Sequence, residues 1–237
     1  MNANSKNEFS RNALTLISGT AAAQAILIAL TPVLTRLYTP EDFGLLALFV
    51  SFSSIFGAIA NGRYELAIVL PEEDDEAYTI AALCIMVAFC ISFILFLCVN
   101  IFHQQIINLI GNKAISFWLY LTPLSVFFIA FYNVLNYLNV RFKRYEALAK
   151  ANVIKTLTLV SIQITCGAIK NGASGLISGH LLASIVGSLS LARGVSIGTS
   201  SLKLLSIDKI KRVALRYKNF PLFSMWAVLC NTLSVNL

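Results

Sequence analysis

Charge is what this chain has least of. Asp, Glu, Lys and Arg make up only 12% of its 237 residues, histidine occurs twice, at His103 and His180, and the five cysteines include no C-x-x-C pair. Cys84, Cys90, Cys98, Cys166 and Cys230 lie singly in apolar runs with no histidine at ligand spacing, which argues against a metal site. The two histidines stand far apart and have no carboxylate or cysteine companion, so neither belongs to a nucleophilic constellation. No catalytic residue, metal or cofactor is expected, and the cysteines read as free, buried, small apolar side chains. The basic excess, 18 Lys and Arg against 11 Asp and Glu for a net charge of +7, would suit nucleic acid if it were gathered on one folded polar face. It is spread instead over short connectors between apolar runs, so nucleic acid is excluded as a partner.

What the chain does have is apolar sequence. A 57% hydrophobic composition with a mean hydropathy of +0.77 is too much for one water-soluble core and predicts a bilayer as solvent. A bilayer core takes about 20 apolar helical residues. Runs of that kind extend from Asn12 to Leu34, Phe43 to Gly62, Ala77 to Phe102, Phe117 to Val140, Val153 to Ile169 and Ala173 to Ala192. The fold class is therefore all-α: a polytopic bundle of six transmembrane helices. Ala21-Ala22-Ala23-Gln24-Ala25 resembles a cleavage site, but the apolar run continues past it, so an uncleaved first span is expected. A seventh run begins at Leu222 after Pro221 and stops at Leu237, about 16 residues and short of a span, which suggests a fragment of a longer protein.

Orientation follows from alternate connectors. Of the 18 Lys and Arg, only Arg36, Lys113 and Lys170 fall in the set opposite to the N-terminus, so a cytoplasmic N-terminus is predicted. The outer connectors read as short turns: Thr39-Pro40-Glu41-Asp42, His103 to Ser116, and Lys170-Asn171-Gly172, the last tight enough to make spans five and six an antiparallel hairpin. The connector from 194 to 220 alternates Leu202, Leu204, Leu205, Ile207, Ile210 and Val213 with Lys203, Lys209, Lys211, Arg212 and Arg216. It reads either as an amphipathic helix in an anionic interface or as an ordinary basic loop. The expected organisation is a six-helix lobe over 1–193, this linker over 194–220, and the start of a seventh helix over 221–237.

Helix faces give the candidate residues. In lipid, small residues mark close helix approach, and Gly175, Gly179, Ala183 and Gly187, four apart, form a packing stripe that faces the fifth span. Polar stripes run along the second span (Ser51, Ser54, Ala58, Asn61, Glu65), the fourth (Tyr132, Asn136, Asn139, Lys143) and the fifth (Asn152, Thr156, Gln163, Gly167). They either line one wet cavity or act as interhelical hydrogen-bond donors. Arg63 and Glu65 are set apart from the other charges by apolar sequence on both sides. Residues two apart point to different sides of a helix, so the two do not pair unless Gly62 ends the helix and Leu66 to Leu70 runs extended into Pro71. An arginine facing a wet cavity suits an anionic ligand, phosphate above all, and Glu65 could titrate or bind a coupling cation. The alternative for Arg63 is a side chain that snorkels to the interface.

Three stretches, Thr35-Arg36-Leu37-Tyr38-Thr39-Pro40-Glu41-Asp42-Phe43-Gly44, Arg63-Tyr64-Glu65-Leu66-Ala67-Ile68-Val69-Leu70-Pro71 and Arg216-Tyr217-Lys218-Asn219-Phe220-Pro221, resemble the bacterial polysaccharide (O-antigen and capsule) flippases of the multidrug/oligosaccharidyl-lipid/polysaccharide exporter superfamily. The resemblance implies one lobe of a two-lobed inner-membrane transporter that flips undecaprenyl-pyrophosphate-linked oligosaccharide. It also implies ion-coupled alternating access and a cationic cavity to which Arg63 would contribute. The polar helix faces, taken with Arg63 and Glu65, give the expected substrate path: Asn61, Arg63, Glu65, Asn136, Asn139 and Gln163. The implied partners are the lipid-linked substrate, the bilayer, a C-terminal half and the polysaccharide polymerase machinery. Two other readings stand beside it: a cation-coupled exporter of small drugs, and an inactive truncated membrane subunit.

Overall fold

The computed structural model describes residues 3–170, 172–193 and 206–236, all helix and turn. In chain order the helices are α1 (Ala3–Leu37), α2 (Pro40–Ile59), α3 (Asp74–Ile101), α4 (His103–Ile110), α5 (Ser116–Leu119), α6 (Thr122–Arg141), α7 (Tyr145–Ala168), α8 (Ala173–Ala192), α9 (Ile207–Arg216) and α10 (Met225–Asn236). Six of them are long and apolar enough to cross a bilayer: α2, α3, α6, α7, α8 and the Leu14–Leu37 part of α1. The chain is an all-helical, multi-pass membrane protein.

Several boundaries differ from those expected, each for a local reason. The second span ends at Ile59 rather than Gly62, because Gly62 and Arg63 both take left-handed backbone, at φ 58° and 61°, which a right-handed helix cannot contain. The Leu66 to Leu70 segment is not extended; Tyr64–Val69 forms a 3-10 helix. The fourth span starts at Thr122, not Phe117, since Pro123 has no N–H to continue the turn of α5. The fifth begins at Tyr145, eight residues before Val153, and so takes Lys150 into the helix beside Lys155. The connector from His103 to Ser116 is not a bare turn, because it contains α4. At the C-terminal end a π-turn at Phe220–Ser224 precedes α10. Residues 194–205 of the predicted linker lie outside the described residues.

The helices are grouped in two compact units, 1–43 with 139–196, and 44–138 with 197–237. In the first, α7 packs on α8 and α1. Gly175, Gly179, Ala183 and Gly187 are all buried on α8. A Cβ on Gly179 would stand 2.9 Å from Gln163 Cγ and 3.2 Å from the Leu159 carbonyl oxygen, both on α7, so only hydrogen there permits the observed approach. The hydroxyl of buried Tyr38 donates to the Gln163 carbonyl oxygen at 2.6 Å and ties the end of α1 to α7. Immediately after it, Thr39 and Asp42 cap α2 reciprocally: the Thr39 N–H donates to Asp42 Oδ2 at 3.0 Å and the Asp42 N–H to Thr39 Oγ1 at 3.3 Å. With Pro40 as the first helical residue, this is a capping box written into the Thr-Pro-Glu-Asp sequence.

In the second unit Ala60, Ala88, Val126 and Ala130 form a small-residue core flanked by Phe56, Ile91, Leu95 and Phe127. Val99, Ile107, Ile115 and Leu119 close its other end through α4 and α5. The cysteines are free, as expected, but only Cys84 is buried; Cys90, Cys98 and Cys230 are exposed and Cys166 half-buried. An apolar side chain gains little by leaving lipid, so a thiol on a span has no reason to point inward.

Candidate functional site

The break after α2 creates the most unusual polar group in the second unit. Leaving the helix at Ile59, the chain turns through Asn61, Gly62 and Arg63, with the Gly62 N–H bonded to the Ile59 oxygen at 2.8 Å and the Tyr64 N–H to the Asn61 oxygen at 3.2 Å. A left-handed arginine costs roughly 1–2 kcal/mol. It also turns the side chain back over Glu65, so that Arg63 Nη1 and Glu65 Oε1 lie 3.0 Å apart. The expectation that these two do not pair is thus corrected, and the reason is the helix end at Gly62. The glutamate side chain is 3% exposed and that of the arginine 20%.

The pair is not saturated. Among the described residues, Arg63 Nε, Glu65 Oε2 and Asn61 Oδ1 are buried and have no hydrogen-bond partner. Burial pushes the Glu65 carboxyl above its ordinary range; its backbone hydrogen bond and Arg63 pull the other way and are outweighed. An ion-pair distance and a carboxyl with raised proton affinity are both present, which describes a pair held close to neutralisation.

Around this turn the unit is tied to α9. Tyr64 Oη donates to the Ala214 carbonyl oxygen at 3.2 Å. Glu76, in the first turn of α3, accepts from Arg216 Nη1 at 2.9 Å and from Tyr217 Oη at 3.3 Å. Between α3 and α9 lies a cleft of about 250 Å³ lined by Glu73, Asp75 and Glu76 on one side and Lys209, Arg212 and Arg216 on the other. Val213 of α9 is buried, so the apolar face of this helix is turned in part to protein. The grasp of Glu76 by the Arg216-Tyr217 pair was missed from sequence, although the acidic run 72–76 and the basic helix are complementary in charge.

The predicted path residues divide between the units. Asn61, Arg63, Glu65 and the half-buried Asn136 lie in the second. Asn61 Nδ2 donates to the Ala130 carbonyl oxygen of α6 at 3.0 Å. Asn139 and Gln163 lie in the first and are likewise interhelical donors, to Leu191 O at 3.5 Å and Leu176 O at 3.2 Å on α8. Three of the six thus hold helices together through backbone carbonyls. Arg63 and Glu65 instead bond to each other, and each keeps a buried polar atom without a hydrogen-bond partner among the described residues.

Six helices long and apolar enough to cross a bilayer define a multi-pass membrane protein, in which Arg63 and Glu65 form a largely buried ion pair. Residues 33–235 match the family described as polysaccharide biosynthesis protein, of the multidrug/oligosaccharidyl-lipid/polysaccharide exporter type, and the chain belongs to that family. Neither a curated protein nor a solved structure matches it.

Proposed function

We propose that the chain translocates undecaprenyl-pyrophosphate-linked oligosaccharide across the bacterial inner membrane for O-antigen or capsule synthesis, with its N-terminus in the cytoplasm. The observation that carries this reading is the Arg63–Glu65 pair at 3.0 Å, with Arg63 Nε and Glu65 Oε2 buried and unused among the described residues. A guanidinium presents a planar fork that matches phosphate oxygens. While Glu65 is ionised it holds that fork; once Glu65 takes a proton, toward which its burial biases it, Arg63 is released to an anionic diphosphate. The substrate thereby replaces the carboxylate as counter-charge, and a proton is linked to its binding. Alternating access needs two bundles moving against each other, so a C-terminal half is the partner this mechanism requires, with the polymerase machinery receiving the product.

The test is Arg63→Ala, expressed in a strain lacking its own exporter and read by surface polysaccharide on gels. The expected result is at least a tenfold loss, about 1.4 kcal/mol of transition-state or binding energy, with the same amount of protein in the membrane. Unchanged export removes Arg63 from the substrate path. A second reading, export of small apolar drugs, is favoured by an apolar cavity of about 470 Å³ lined by Phe89, Phe93, Phe96, Tyr120, Phe127 and neighbours. Altered drug sensitivity with polysaccharide unaffected would favour it.

A further inference from the structure

The amino end of α3 overhangs the hydrocarbon. Its 28 residues make a helix of about 42 Å at 1.5 Å per residue, against a bilayer core of about 30 Å. Asp74, Asp75 and Glu76 make up the charged first turn and the apolar run starts at Ala77, so it is this turn that stands in the headgroup layer. α9 packs against α3 within the same compact unit, at the depth of phosphates and amines.

The cleft of about 250 Å³ between the two helices has walls of opposite charge, with Glu73 and Asp75 on one and Lys209 and Arg212 on the other. Opposite charges this near each other attract, and one pair closes: Arg216 Nη1 sits 2.9 Å from Glu76 Oε1 and fixes the spacing of the helices. The other four charges stay apart. Among the described residues, the side chains of Glu73, Asp75, Lys209 and Arg212 have no ion-pair partner, and all four are exposed. Thr79 and Val213 border the same cleft and are buried. The Thr79 hydroxyl is taken up by the Asp75 carbonyl oxygen at 2.8 Å, so the floor offers a ligand no free polar group and the walls offer it both charges.

Each wall selects. A purely anionic ligand is drawn to Lys209 and Arg212 but repelled by Glu73 and Asp75, and a purely cationic one meets the reverse. A molecule carrying both charges a short distance apart satisfies the two walls together. The guanidinium of Arg212 suits a phosphate. Carboxylates only accept hydrogen bonds, so they favour a primary ammonium, with its N–H donors, over a quaternary one that has none. The cleft is smaller than a drug-sized pocket, which fits a headgroup whose chains remain in the bilayer.

We propose that this cleft binds the headgroup of phosphatidylethanolamine, with the phosphate against Lys209 and Arg212 and the ammonium against Glu73 and Asp75. The site does not depend on what the chain transports.

The test is native mass spectrometry of the full chain released from mixed micelles holding equal amounts of phosphatidylethanolamine, phosphatidylcholine and phosphatidylglycerol with the same acyl chains. Retained phosphatidylethanolamine is expected in at least about tenfold preference over either of the others, the worth of one hydrogen bond to a charged group. Neutralising the acidic wall with Glu73→Gln and Asp75→Asn should erase the distinction between ethanolamine and choline. Neutralising the basic wall with Lys209→Gln and Arg212→Gln should lower retention of phosphatidylethanolamine about tenfold, while Lys209→Arg leaves it in place. All four positions are exposed, where substitutions cost little stability, and Glu76 and Arg216 stay intact to hold the helices. Equal retention of the three lipids overturns the proposal, as does a selectivity that survives the acidic-wall variant or a retention that survives the basic-wall one. Preference for phosphatidylglycerol also overturns it and makes α9 a binder of anionic lipid instead.

Discussion

Glu65 carries the most direct consequence at the scale of single residues. Its carboxyl binds a proton more readily in the folded chain than in the unfolded one because burial outweighs the pull of Arg63. The folded state therefore holds more protons than the unfolded state between the ordinary carboxylate pKa and the raised one. Stability falls as pH rises through that window, and it levels off above the raised value, where both states are ionised. Thermal unfolding of the detergent-purified chain from about pH 4.5 to 8 should show this slope, and Glu65→Gln should flatten it. A slope unaltered in Glu65→Gln assigns the dependence to another group. The same variant pair with Arg63→Leu forms a double-mutant cycle whose coupling is expected at about 1–3 kcal/mol, below that of a fully buried pair because Arg63 is partly exposed. This pairing was only half legible in the sequence. Gly62 announced a possible helix end, but the left-handed conformation of Arg63, which decides where the guanidinium goes, leaves no trace in composition or periodicity.

At the scale of helices, α7 and α8 are held at a distance set by what Gly175 and Gly179 lack. A Cβ on Gly175 would meet the Tyr38 hydroxyl and Cys166 Cβ at once. Gly175→Leu is expected to cost about 1–3 kcal/mol through overpacking and to weaken the Tyr38 to Gln163 hydrogen bond; the measurement is the thermal midpoint in detergent. An unchanged midpoint would show that the two helices can separate freely. Here the sequence was explicit, since a four-residue repeat of small side chains is visible by eye. The ends of the helices were not. Lys150 lies outside the apolar run that begins at Val153, yet the backbone of α7 runs through it, because within a helix every peptide group is satisfied whatever side chain it carries. The Thr39 and Asp42 cap shows the reverse, a boundary spelled out by four adjacent residues whose meaning is hydrogen bonding rather than hydropathy.

For the whole molecule, the imbalance of Lys and Arg between alternate connectors gives a testable topology. In a cysteine-free background, Lys113→Cys should react with an impermeant maleimide on intact cells, whereas Lys209→Cys should react only after permeabilisation. The opposite pattern inverts the proposed orientation. Fold class and family were legible because both depend on apolar length and on short motifs that survive without three-dimensional information. The functional residues were less so, since Asn61, Asn139 and Gln163 look alike in a stripe, and only geometry shows that each donates to a carbonyl of a neighbouring helix. One further contact bears on how such a protein can change over generations. Tyr64 holds α9 by the main chain at Ala214, not by a side chain, so no ordinary replacement at position 214 removes the acceptor. Position 214 is thereby free to drift in sequence while this one tie of α9 is inherited through Tyr64, beside the sequence-dependent grasp of Glu76 by Arg216.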